Sequence, residues 1–337
     1  MSKIAGIILG IFGILIFIRP LSNQDSKPYD FPQVQTPPKS SLPYANDLDE
    51  LLARGHKFYQ EGEGYDFSLA ITGDVMLGRQ VNVNISKSTD TLWPFTNIKS
   101  HLEEADLAII NLENPLTDPC PPKTDGMIFC GAISSASLLK RGGVDLVNLA
   151  NNHTLNHGQL GLDQTKKALT AVGVSYFGDG QLTLATVSGQ TLGFLGFTDL
   201  AGGPSFLAGD LNRLKHEITA AAPQVDFLSV AFHFGNEYED HANARQQLLS
   251  QTAIDAGADL IIGHHPHHLQ PPLYYKNRLI LPSMGNFIFD QMWSEKTRQG
   301  ALAYAYFQEN KLVGLYLLPT YITEYGLVSP ADFNLFD

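Results

Sequence analysis

Apolar residues along this chain gather in short unbroken runs, and most of these runs lead directly or within a few residues to a carboxylate, an amide or an imidazole. The run 67–72 leads into Gly73-Asp74, and 107–110 into Asn111-Leu112-Glu113. The run 144–147 leads towards Asn151-Asn152-His153, 227–232 into His233, and 258–262 into Gly263-His264-His265-Pro266-His267-His268. Apolar runs without polar alternation are the pattern of strands covered on both faces. Between them, residues 96–105, 158–172 and 245–256 read as helices, the second with Leu160, Leu162, Ala168 and Leu169 on or near one face. Later, 279–281 leads to Ser283-Met284-Gly285-Asn286-Phe287, and 301–307 pairs with 312–318 across a Glu309-Asn310 turn. Alternating strands and helices predict an α/β fold. Ligands of open α/β sheets bind beyond the carboxyl ends of the strands, so five separate ends are expected to meet in one crevice.

The N-terminus has a different pattern. Residues 4–18 are uninterruptedly apolar between Lys3 and Arg19-Pro20. That is short for a membrane span of ~20 residues but in the range of a signal sequence or short anchor. No small-x-small cleavage site follows clearly, which favours an uncleaved, single-pass anchor over residues 1–20 with the rest of the chain outside the cytoplasm. Cleavage would instead make the protein secreted. Residues 21–64 read as a tether, its first half extended by Pro28, Pro32, Pro37, Pro38 and Pro43. Within it, 46–60 has the pattern of a short amphipathic helix, docking on the domain or on the membrane surface. Residues 65–325 form the expected domain and 326–337 a C-terminal tail.

Composition narrows the function. With 337 residues, 44% of them hydrophobic, the chain can bury a sizeable core. Thirty-four Asp and Glu against 22 Lys and Arg give a formal charge of -12, which argues against a nucleic-acid partner tracked through its phosphates. Small anionic substrates stay open, because bound dications invert the local field. Cys120 and Cys130, the only cysteines, flank a Pro-Pro-Lys-Thr-Asp-Gly stretch. They are either a disulfide closing that loop or two free buried thiols, and the bridge would suit an extracytoplasmic domain.

The histidine cluster carries the chemistry. If the segment continues as extended chain, His265 and His267 share a face about 7 Å apart at their α-carbons, the posture of two metal ligands. His264 and His268 would then face the other way, either supporting the ligands from behind or solvated. A solvated, His-rich loop is the alternative.

Six ordered motifs resemble the CapA family of capsule and poly-γ-glutamate biosynthesis, whose domain is related to the calcineurin-like metallophosphoesterases. They are Gly73-Asp74-Val75-Met76-Leu77-Gly78-Arg79, Asn111-Leu112-Glu113-Asn114-Pro115, Asn151-Asn152-His153, His233-Phe234-Gly235-Asn236-Glu237-Tyr238, Gly263-His264-His265-Pro266-His267 and the stretch Ser283-Met284-Gly285-Asn286-Phe287-Ile288-Phe289-Asp290-Gln291. The resemblance implies a four-layer α-β-β-α sandwich of two mixed sheets with two divalent metal ions at the strand ends. Asp74, Glu113, Asn152, His233, His265 and His267 would be their ligands, Glu113 bridging, and such donors suit Mn, Fe or Zn. His153 would be the general acid. Arg79 would bind a substrate phosphate or carboxylate, or else make a surface ion pair with one of the many carboxylates. Glu237 and Asp290 would touch substrate or support their neighbours. Met76 stands where the phosphoesterases offer a further metal-binding histidine, and Asn156 where CapA-like sequences have an aspartate.

Three functions follow. One is a membrane-tethered hydrolase or transferase acting on phosphoester or polymer linkages of the cell envelope. Another is a non-catalytic, polymer-binding subunit of a capsule synthesis and export complex. The third, a merely structural metal site, fits least, because structural zinc favours cysteine-rich shells.

Overall fold

The computed structural model describes residues 64–336 except Thr91 and Ala208, together with the backbone of Lys57–Tyr59. The apolar stretch 4–18 and most of the tether lie outside the described residues, among which no helix is long and apolar enough to cross a membrane.

The unbroken apolar runs have a simple cause: alternate side chains of one strand enter two different cores. In Phe227–His233, Ala231 joins a cluster with Phe67, Ile71, Ile109, Ala303 and Leu317, whereas Val230 and Phe232 join one with Leu214, Ile218, Leu249 and Ala253. Leu260 and Ile262 of Leu260–His264 likewise enter the first cluster, and Ile261 the second.

These cores are bounded by two mixed sheets. In the nine-stranded sheet, Phe67–Val75, Leu107–Leu112, Leu146–Asn148 and Ser175–Phe177 run parallel. The antiparallel hairpin Gln299–Gln308 and Lys311–Glu324 continues the sheet beyond Phe67–Val75. In the six-stranded sheet, Gln190–Thr198, Phe227–His233, Leu260–His264 and Arg278–Leu281 are parallel, flanked by antiparallel Thr183–Val187 and Leu273–Tyr275. The first cluster takes side chains from both sheets, which therefore face each other, and the second lies between the smaller sheet and the helices Leu211–Ala221 and Ala244–Asp255. Asp210 caps the first of these helices, and an Asn243–Gln246 capping box starts the second.

Against the sequence pattern, the helices expected at 158–172 and 245–256 are present as Gly158–Ala171 and Ala244–Asp255. Leu162, Ala168 and Leu169 face inward, but Leu160 is 70% exposed. The helix expected over 96–105 contracts to Lys99–Leu102, with turns on either side. Glu309 and Asn310 do form the hairpin turn, both with positive φ. Two expectations fail. Lys57–Tyr59, placed in an amphipathic helix over 46–60, is a strand paired with Lys311–Glu324, whose free edge offers the stronger backbone partner. The expected tail 326–337 contributes the strand Leu327–Pro330 to the same sheet and buries Leu335 in the inter-sheet core. Cys120 and Cys130 are joined by a disulfide.

Candidate metal centre

Asp74 sits within Phe67–Val75, where the strand is pressed against a neighbouring segment. A Cβ on Gly73 would meet Gly285 O at 2.0 Å, so only glycine allows the approach, and Asp74 N–H donates to the same carbonyl at 2.9 Å. The buried Asp74 carboxylate accepts from Asn111 Nδ2 at 2.9 Å and from the His265 backbone N–H at 3.2 Å. His264 Nδ1 and His267 Nδ1 each lie 3.2 Å from it. Burial alone would raise this carboxyl, but the two imidazoles outweigh it and hold Asp74 well below the ordinary carboxylate range.

Glu113, just beyond Leu107–Leu112, is the centre of the arrangement. Its Oε1 is ringed by His267 Nε2 at 3.8 Å, His153 Nε2 at 3.9 Å and His233 Nε2 at 4.0 Å. These spacings exceed hydrogen-bond length. Burial pushes the Glu113 carboxyl well above its usual range, whereas burial pushes the His233 and His265 imidazoles down, His265 to about 3. For His267 burial opposes charge, but the Glu113 and Asp74 carboxylates prevail and raise it to about 9.

The His267 tautomer follows from its neighbour. Asn286 Nδ2 donates to Gln291 Oε1 and to Thr297 O, so Asn286 Oδ1, 2.9 Å from His267 Nδ1, must accept from an Nδ1–H. Its Nε2, facing Glu113, is then the donor atom for a ligand. A second amide does the same for His153. Asn156 Oδ1 accepts from Phe129 N–H at 2.7 Å and lies 3.0 Å from His153 Nδ1, while the Phe129 ring stacks on the imidazole at 4.0 Å.

Among the described residues, Glu113 Oε2, His233 Nε2, His265 Nδ1 and Asn152 Oδ1 are buried without a hydrogen-bond partner. Buried polar atoms are seldom left in that state, and here they are oxygen and imidazole nitrogen, the donors of Mn, Fe and Zn. Asp74, Glu113 and His267 present ligand atoms within 4.8 Å of one another, and so do Glu237, His265 and His267. These groups can hold a metal ion.

Asp74, Glu113, His153, His233, His265 and His267 therefore lie together, but not by the expected geometry. The strand ends at His264, and His265 and His267 have φ of 100° and 56°, so an extended face does not align them. Left-handed turns bring their rings to 5.9 Å instead. His264, expected to support the ligands or be solvated, lies against Asp74, and His268 pairs with Asp240 at 3.0 Å. Two nitrogens of the Arg79 guanidinium are engaged by Asp290, and the group lies over Phe129 at 4.5 Å. That pair is shielded, not a surface one. Sequence reasoning missed the asparagine network: Asn148 and Asn151 both donate to Asn111 Oδ1, which leaves Asn111 Nδ2 aimed at Asp74. Asparagines recurring at strand ends were its signal.

The model of bacterial capsule synthesis protein PGA_cap matches residues 68–291. The capsule biosynthesis protein CapA of Bacillus anthracis is 32% identical over 286 residues, 78% of this chain and 69% of that one. The PGA biosynthesis protein CapA of Bacillus subtilis (strain 168) is 34% identical over 262 residues, covering 72% and 68%. A probable polyglutamine synthesis accessory protein of Mycobacterium tuberculosis (strain CDC 1551 / Oshkosh) is 26% identical over 249 residues, 65% of each chain.

Proposed function

This chain belongs to the bacterial capsule synthesis protein family, and from that premise we propose that it is a metal-dependent hydrolase of phosphoester or polymer linkages in capsule or poly-γ-glutamate biosynthesis. It works outside the cytoplasm, tethered by residues 1–20, and its two sheets and outer helices are a metallophosphoesterase-like four-layer sandwich. The observation that carries this reading is the ring of imidazole nitrogens about Glu113 Oε1, with four buried donor atoms left unpaired.

Asp74, Glu113, His233, His265 and His267, with Asn152, would hold the ions. When bound, two such dications supply an activated water near neutral pH and stabilise charge on the attacking and leaving oxygens. His153 keeps its Nδ1–H on Asn156 and turns Nε2 into the site, from where its charged form delivers a proton to the leaving group. Arg79, clamped by Asp290 and Phe129, fixes one wall and offers its remaining N–H groups to an anionic substrate.

Asn156 also favours a second reading, a polymer-binding accessory subunit. A neutral amide offsets an imidazolium less than a carboxylate would, and a mycobacterial relative carries the accessory description. Metal analysis of the purified full-length chain, with assays on an aryl phosphodiester and on poly-γ-glutamate, separates the two. Metal with turnover, abolished in His265→Ala, is the expected result. Polymer binding without turnover supports the accessory role, and absence of both rejects each.

A further inference from the structure

We propose that Glu237 is a metal ligand, completing with His265 and His267 a donor set on the solvent side of the centre. The inference rests on the reading of this centre as metal-binding.

Glu237 follows the Phe227–His233 strand on a loop whose shape is imposed. Gly235 has a φ of 89°, and a Cβ there would lie 2.6 Å from the Gln246 side chain. Tyr238 takes a φ of 65°, unusual for an aromatic residue, and its N–H donates to Pro266 O at 2.7 Å. Pro266 is the residue between His265 and His267. One short backbone hydrogen bond thus ties the Glu237 loop to the histidine turn, and the three ligand atoms lie within 4.8 Å of one another.

Both imidazoles are free to serve. His265 Nδ1 is buried without a partner, and His267 has committed Nδ1 to Asn286, leaving Nε2. Met76 offers nothing comparable. Its side chain is fully buried, and its sulfur accepts the Gly78 N–H at 3.0 Å. A thioether is also a soft donor, poorly matched to dications that prefer oxygen and imidazole. The exposed Glu237 carboxylate supplies an oxygen ligand and a further negative charge.

Calorimetric titration of Mn²⁺ into the metal-stripped full-length protein tests this, with circular dichroism to confirm folding. Glu237 is exposed, so Glu237→Gln should fold normally. It should weaken one Mn²⁺ binding step by at least ~10-fold, with Glu237→Asp intermediate and Glu239→Gln, a neighbouring carboxylate, unchanged. If Glu237→Gln binds like wild type while His265→Ala loses an ion, Glu237 is not a ligand and the centre still stands. If Glu239→Gln weakens binding equally, the effect is general charge and the assignment fails. No Mn²⁺ binding by wild type overturns both this assignment and the metal reading beneath it.

Discussion

Asn286 shows how much a single uncharged residue governs here. Its Oδ1 sets the tautomer of His267, and its amide nitrogen is spent on Gln291 and Thr297. Asn286→Ala should lower Mn²⁺ affinity ~10–100-fold, the usual effect of removing a partner behind a metal ligand. It should also cost about 1–3 kcal/mol, since buried groups lose their partners. Titration and denaturant unfolding measure the two effects. At this scale the sequence disclosed residue identities well. Asp74, Glu113, His233 and His267 were legible because each follows or ends an apolar run. The direction of a side chain was less legible. The extended alignment of His265 and His267 failed because alternation holds only while the backbone stays extended, and both residues take positive φ.

Among the elements, the loop closed by Cys120 and Cys130 has the clearest consequence. It delivers Phe129 between the His153 ring and the Arg79 guanidinium, and Phe129 N–H to Asn156. Replacing both cysteines by serine should cost about 2–4 kcal/mol by freeing the loop in the unfolded chain. Thermal unfolding with and without reductant reads this directly, and the serine variant should be insensitive to reductant. The bridge was legible as one of two options from spacing alone, but Phe129 as a wall of the site was not, since nothing local marks its contact with His153. The hairpin was legible because its turn is local, whereas Lys57–Tyr59 was not, because an edge strand is recruited by a distant partner.

For the molecule as a whole, the centre places several ionisable groups, each buried or nearly so, where two sheets meet, and a bound ion should pay back part of that cost. A ligand that binds only the folded state at 100 times its Kd stabilises by about 2.7 kcal/mol. For a domain of this size, Mn²⁺ should therefore raise the Tm by roughly 5–10 °C. Chelation should reverse the shift, and an Asp74→Asn, His265→Ala double variant should show none.

Strand positions, their order and the polar residues at their ends were written in the local pattern, because burial on two faces demands apolar runs and polar side chains survive only where those runs stop. Glu237 beside two histidines, His264 against Asp74 and the asparagine braces were decided by tertiary structure alone. Each depends on backbone turns and hydrogen bonds between segments remote in sequence, such as Tyr238 to Pro266, and no periodicity along one segment encodes a contact made by another.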